Sequence, residues 1–198
     1  MEIMIIVYAV LAYFIGSIPS GLIIGKTFFN TDVRQYGSKN IGATNTYRVI
    51  GLKAALPVFL CDALKGAAGV VLLSSYGPMY MILGGILAMM GHNWSIFLGF
   101  KGGRGVATGL GVLIALSPLV ALICFLVWGI IVYFTKLVSL GSIVAAALVP
   151  VLMYVTGESY WFVGFGGLAA LFVIVRHWDN IKRLLAGNEL KVERIKKD

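Results

Sequence analysis

Four short polar stretches combine cations, amides, hydroxyls and glycines in a way that suits binding of an anion. "GSKNIGATN", Gly37 to Asn45, sets Ser38, Asn40, Thr44 and Asn45 around Lys39, a mixture that presents both side-chain and backbone donors. "FKGGRGVATG", Phe100 to Gly109, places Lys101 and Arg104 on either side of Gly102 and Gly103, and an apolar segment begins just beyond them. Glycine allows close backbone approach, and the unpaired amides at the start of a following helix favour negative charge. "SLGS", Ser139 to Ser142, follows Lys136, and "RHWDNIKRLLAGNE", Arg176 to Glu189, holds His177 and Asn180 three residues apart. Basic loops and helix-end glycines also follow from membrane orientation alone. Orientation requires only lysine and arginine, however, and leaves the clustered Asn, Ser and Thr unexplained. The glycines and cations of Gly99 to Gly105 therefore read as a phosphate cradle.

The elements that must position these stretches are set by composition. Of 198 residues, 60% are hydrophobic and 12% charged, whereas a soluble domain is about one quarter charged. Apolar runs lie at 3–25, 54–75, 79–98, 106–134, 137–156 and 160–176, most of them close to the ~20 residues that a helix needs to cross a ~30 Å hydrocarbon core. The first run opens on Glu2 and ends without a small-x-small cleavage site, so it is expected to be a retained span and not a signal peptide. The run at 106–134 is long enough for one tilted helix, but Ser117-Pro118 can divide it. Charge decides between the two. Cations flanking spans stay in the cytoplasm, and dividing the run places all but one of the 16 basic residues on that side. The expected fold is all-α: a polytopic integral membrane helical bundle of about seven transmembrane segments, N-terminus outside and C-terminus cytoplasmic, forming one membrane-embedded domain over residues 1–198. Segment 106–116 is short and suits a half-helix lining a cavity.

The remaining cation, Lys65, follows Asp62 by three residues inside the second span, on the same helix face. A structural ion pair is the leading reading, with direct chemistry as the alternative. Cys61 and Cys124 sit in apolar runs and behave as small hydrophobes. No metal site is expected, because neither His92 nor His177 has neighbours at ligand spacing. Three motif matches are set aside. "GKT" at Gly25–Thr27 lacks the first glycine and the strand of a P-loop. "GFGGLA" at Gly164–Ala169 lies within an apolar span, where small residues serve helix packing. "NWS" at Asn93–Ser95 falls on the expected cytoplasmic side.

Taken together, "GSKNIGATN", "GHNWSIFLGFKGGRGVATG" and "HWDNIKRLLAGNE" resemble the bacterial acyl phosphate:glycerol-3-phosphate acyltransferases, the PlsY family, over essentially the whole chain. The resemblance implies transfer of a fatty acyl group from acyl phosphate to glycerol 3-phosphate, the first step of phospholipid synthesis, with no cofactor and no metal. It places phosphate and glycerol contacts on Ser38, Asn40, Thr44, Asn45, Lys101, Gly102, Gly103 and Arg104. His177, Asn180 and Ser142 fall at the reaction centre, with Glu189 in support. Arg104 stands where lysine is frequent in this motif, so a forked planar donor replaces a point charge. The implied partners are the two phosphorylated substrates, membrane lipid and the soluble enzyme that makes acyl phosphate, with no nucleic acid. The implied location is the bacterial inner membrane, with the site facing the cytoplasm.

The rival from another class is a transporter or channel for small phosphorylated solutes, which also uses half-helices and basic cavities. Such architectures often carry internal repeats, and this sequence has none. The H-x-x-x-x-D pairing of soluble glycerolipid acyltransferases is absent, since Phe97 stands five residues after His92 and Lys182 five after His177. The four aspartates are too scattered to resemble an alcohol phosphotransferase. Charge parity makes a direct prediction: with Cys61 and Cys124 replaced, a cysteine at Gly187 should react with an impermeant maleimide only from the cytoplasmic side, and labelling only from outside would overturn the orientation.

Overall fold

The computed structural model describes residues 2–194; Lys196 and Lys197 of the basic tail lie outside the described residues. Every regular element within it is helical: α1 (Glu2–Ser17), α2 (Ser20–Phe29), α3 (Ala43–Val49), α4 (Leu52–Leu72), α5 (Pro78–Asn93), α6 (Val106–Leu116), α7 (Pro118–Thr135), α8 (Val138–Val155), α9 (Tyr160–Arg176) and α10 (Trp178–Leu185). Four helices are long and apolar enough to cross a membrane alone, and counting the bent pairs α1/α2 and α9/α10 as one span each raises the number to six. The division expected at Ser117-Pro118 is present, with Pro118 opening α7. At 11 residues α6 is too short to cross a ~30 Å core at ~1.5 Å per residue. It is the expected half-helix.

Two departures from the expected spans have local causes. The first run does not continue straight to residue 25: it breaks at Ile18-Pro19 and bends by 45°. Proline lacks an amide and disfavours helical geometry in the residue before it. The last run turns by 61° at His177 into the short α10, whose exposed Trp178, Lys182 and Leu185 lie on one helical face.

The chain forms two compact units, and the boundary between them falls within α6. In the first, residues 2–112 with 192–194, α1 packs on α4 and α5, and α4 packs on α5. Small residues make these contacts close. A methyl group at Gly69 would meet the Gly84 carbonyl oxygen at 2.7 Å, and one at Gly66 or Gly111 would overlap the carbonyl oxygens of Thr108 and Ala63. Glycine on both α4 and α6 thus lets backbone lie against backbone, the packing that membrane helices favour when apolar burial gives no net drive. In the loop after α2, Asp32 accepts from the Arg34 side chain at 2.7 and 3.0 Å and pairs with Lys26 at 3.3 Å. The Arg34 guanidinium, followed by the Arg34 amide and Lys26, holds the Asp32 carboxyl below the usual carboxylate range. It therefore stays ionised at neutral and mildly acidic pH, and its stabilising effect is lost only on strong acidification.

In the second unit, residues 113–191, α8 packs between α7 and α9. Its core is Val120, Cys124, Val149 and Met153, with Leu113, Leu152 and Phe162 against it. Ser117 donates to Glu158 at 2.5 Å, which ties the start of α7 to the α8–α9 turn.

The glycine contacts generate a stability prediction. Gly111→Val should lower the melting temperature of the purified protein by several degrees, because overpacking costs ~1–3 kcal/mol and ~1 kcal/mol is worth ~2–4 °C at this size. Gly129→Ala, where a methyl group would meet nothing within 4 Å, should leave it unchanged. Equal melting temperatures for the two variants would sink the close-packing account.

Candidate active site

The Lys101–Arg104 stretch is a structured loop built on the end of α5. The Phe100 amide donates to Ser95 O at 2.8 Å, Gly102 to Asn93 O at 3.0 Å and Gly103 to His92 O at 3.0 Å. Below it, Ser95 Oγ donates to Ser17 O at 2.6 Å and Tyr13 OH to Trp94 O at 2.8 Å, which fastens the loop base to α1. Gly99, Phe100 and Gly105 have positive φ, so the chain reverses sharply on both sides of the cations. At Gly102 and Gly103 the reason for glycine differs from the expected one. Both have ordinary φ, but a methyl group at Gly102 would overlap His92 O and lie 2.7 Å from Asn93 O, while one at Gly103 would overlap the His92 ring. Space beneath the loop excludes a side chain, and the amides of Gly102 and Gly103 are already donated to α5.

The donors this arrangement offers an anion are therefore the exposed Lys101 and half-buried Arg104 side chains and the first-turn amides of α6, which have no acceptor within the helix. The Lys101 ammonium forms no ion pair or hydrogen bond among the described residues.

The first polar stretch divides in a similar way. Asn45 is 1% exposed; its Nδ2 donates to Val33 O at 2.8 Å and Asn40 O at 2.9 Å, and its Oδ1 accepts from the Ser38 amide at 2.9 Å. Asn40 Oδ1 accepts from the Gly42 amide at 2.8 Å and so shapes the turn into α3. Asn40 and Asn45 are pins of the loop, whereas the half-buried Ser38 and Thr44 hydroxyls make no hydrogen bond among the described residues.

Within the second unit, Ser142 is buried and donates to Val138 O at 2.8 Å. Its hydroxyl is engaged with its own helix and shows no base beside it. His177 caps α9, buried, with Nδ1 2.8 Å from Val173 O. A carbonyl can only accept, so the neutral ring carries its proton on Nδ1, and Nε2 is the basic nitrogen. Asn180 Nδ2 donates to Glu189 Oε1 at 2.6 Å, while Glu189 Oε2 takes Arg183 Nε at 2.8 Å. Glu189 thus orients the amide of Asn180, whose buried Oδ1 has no hydrogen-bond partner among the described residues. Within the fourth stretch, Asn180 and Glu189 are joined directly, and His177 lies buried three residues before Asn180.

Two residues outside the expected set belong to this description. Arg48, in the last turn of α3, is 5% exposed. His92, which has neither metal-ligand neighbours nor the H-x-x-x-x-D pairing, supports the glycine loop. The signal for His92 was its place directly before the loop at the end of an apolar run. For Arg48, position in a basic loop masked the burial.

Comparison with known proteins identifies the family. A family model described as glycerol-3-phosphate acyltransferase matches residues 6–187. The chain is 46% identical to the glycerol-3-phosphate acyltransferase of Fusobacterium nucleatum subsp. nucleatum over 186 residues, covering 93% of this chain and 96% of that one. It is 48% identical to glycerol-3-phosphate acyltransferase 2 of Moorella thermoacetica over 184 residues, covering 92% and 95%. Among solved structures, the glycerol 3-phosphate form of PlsY, an integral membrane glycerol 3-phosphate acyltransferase, superposes with a TM-score of 0.89 at 38% identity over 94% of both chains. The lysophosphatidic acid form of PlsY gives 0.87 at 37% identity. With its helices long and apolar enough to cross a membrane and this likeness running through nearly all of its length, the chain belongs to the glycerol-3-phosphate acyltransferase family, the PlsY family of integral membrane proteins.

Proposed function

We propose that this protein transfers a fatty acyl group from acyl phosphate to glycerol 3-phosphate, giving 1-acylglycerol 3-phosphate and inorganic phosphate, at the cytoplasmic face of the bacterial inner membrane. The observation that carries the reading is the end-to-end match to relatives named for this acyltransferase, one of which is known in both a glycerol 3-phosphate and a lysophosphatidic acid form. Those two molecules are the acyl acceptor and the acylated product of a single step. Acyl phosphate as donor is supported by the motif resemblance and by polar stretches rich enough in cations and hydroxyls for two phosphorylated substrates.

In this reading Lys101 and Arg104 offset phosphate charge, with the backbone at Gly102 and Gly103 holding them in place. Ser38 and Thr44 donate to phosphate or glycerol oxygens. Asn40 and Asn45 keep that loop in shape. The glycerol hydroxyl oxygen attacks the acyl carbonyl carbon and forms the ester bond. The bond from that carbon to the phosphate oxygen breaks, and phosphate leaves with the electron pair. The hydroxyl proton passes to a phosphate oxygen of the donor, which gains basicity as its bond to the carbonyl carbon breaks. His177 and Asn180, steadied by the Val173 carbonyl and Glu189, orient the hydroxyl or the carbonyl oxygen. No acyl-enzyme is required, since the Ser142 hydroxyl bonds to Val138 O and lacks an activating dyad. The soluble enzyme that makes acyl phosphate is the expected supplier of the donor.

Two measurements test this. Purified protein in lipid nanodiscs should release phosphate only when both acyl phosphate and glycerol 3-phosphate are present. Lys101→Ala should raise the KM for one of them about tenfold or more, because a charge-assisted contact is worth ~1.5–3 kcal/mol; unchanged kinetics with both substrates would refute the phosphate role. His177→Gln should retain measurable turnover, and mass spectrometry after incubation with acyl phosphate alone should show no acylated protein. A serine or cysteine adduct that glycerol 3-phosphate discharges at a competent rate would overturn direct transfer.

A further inference from the structure

Asp62, Lys65 and His92 are 2%, 5% and 3% exposed, and the reaction proposed above uses none of them. Lys65 Nζ lies 2.7 Å from Asp62 Oδ1 and donates to Ile18 O at 2.8 Å. The Ile18 carbonyl, at the break in helical geometry at Ile18-Pro19, accepts from both Lys65 and the Ser20 amide, the latter at 3.0 Å. His92 Nδ1 lies 3.7 Å from the same Asp62 oxygen. On its other side, the His92 ring faces the glycine loop: a methyl group at Gly103 would overlap Nε2 and come within 2.8 Å of Cε1 and 3.0 Å of Cδ2. The imidazole is thus sandwiched between an intramembrane carboxylate and the backbone that carries Lys101 and Arg104.

A buried ion pair is a poor source of net stability, since apolar residues of similar volume do as well or better. Ionisable groups inside membrane spans instead face the bundle interior, pair with one another and mark functional sites. We infer that His92, fixed by the Asp62–Lys65 pair, is a positioning residue for the Lys101–Arg104 loop, setting the height at which the two cations are presented to a phosphorylated substrate. The inference rests on the acyltransferase reading. Two supports of the loop are separable. The bonds from the Gly102 and Gly103 amides go to backbone oxygens, and any residue at positions 92 and 93 would provide them. The Nε2 edge of the imidazole lies beneath Gly103, and the Asp62 carboxylate lies 3.7 Å from its other nitrogen. Lys65 neutralises Asp62, so the unit beneath the loop adds no net negative charge to compete for the cations.

The test is a size-compensation cycle read by substrate binding. Gly103→Ala should raise the KM for at least one phosphorylated substrate tenfold or more, because the new methyl displaces the loop from the ring. His92→Ala should raise it severalfold, with a smaller effect on kcat. The double variant Gly103→Ala/His92→Ala should recover at least fivefold in KM relative to Gly103→Ala, since the space left by the ring accepts the methyl. A general loss of stability would not produce that recovery. His92→Gln, which keeps a polar side chain of similar length, should fall between wild type and His92→Ala and serves if His92→Ala does not fold. The inference is overturned if the double variant is no better than Gly103→Ala, or if both position-92 variants keep KM for both substrates within twofold of wild type. A second readout does not depend on turnover: with Cys61 and Cys124 replaced, the rate at which a cysteine at Lys101→Cys reacts with a charged maleimide should change at least threefold with His92→Gln. Wild-type protein that releases no phosphate would defeat the acyltransferase reading alone, and the labelling rate then decides the position of the loop, an unchanged rate overturning the inference.

Discussion

Backbone that leaves the helix inside a membrane protein must find its hydrogen-bond partners on the protein itself, because the hydrocarbon offers none. Each polar stretch of this molecule meets that demand by leaning on a helix end or a buried side chain. The loop after α5 donates the Gly102 and Gly103 amides to the last carbonyls of that helix. The loop before α3 gathers the carbonyls of Val33, Tyr36 and Asn40 onto one buried amide, Asn45. The break at Ile18-Pro19 gives its carbonyl to Lys65. Polar side chains such as Lys101 can then be exposed at the surface of segments whose backbones are already satisfied.

This constraint explains which parts of the architecture were legible in the sequence. Long apolar runs, the charge parity that divides 106–134 and the proline at 118 are each strong enough alone to override local alternatives, and the helices follow them. The bend at Pro19 was hidden because an apolar run reads as one span whether or not it is straight. The roles within the motifs were less legible. Asn40 and Thr44 have similar polarity and lie four residues apart, yet the Asn40 side chain accepts from the Gly42 amide and the Thr44 hydroxyl bonds to no described residue. Only the folded path of the loop separates them.

Glycine shows the same limit more sharply. The sequence supports the idea that Gly102 and Gly103 clear a way for an anion above the loop. The folded chain puts the steric demand beneath it, at His92 O and the His92 ring. A glycine pair beside cations therefore carries two meanings that sequence alone cannot separate, and the difference matters because a side chain added at either position would press on the loop from below.

Lys65 and Lys101 carry the same chemistry to opposite ends. In a medium of low polarity, the cost of an unpaired ammonium is several kcal/mol, so Lys65 exists in α4 only with Asp62 and the Ile18 carbonyl about it. Its charge is already matched, and it has little to offer a further anion. Lys101 is exposed, and water solvates its charge until a ligand arrives. In the proposed function, a phosphate group replaces that water at modest cost in desolvation. A binding cation near a membrane must for this reason sit at the polar surface, where its long side chain is mobile, and accuracy has to come from the backbone that carries it. The hydrogen bonds and close contacts beneath residues 101–104 supply that accuracy from the membrane side, where a buried charge can be held by a buried partner.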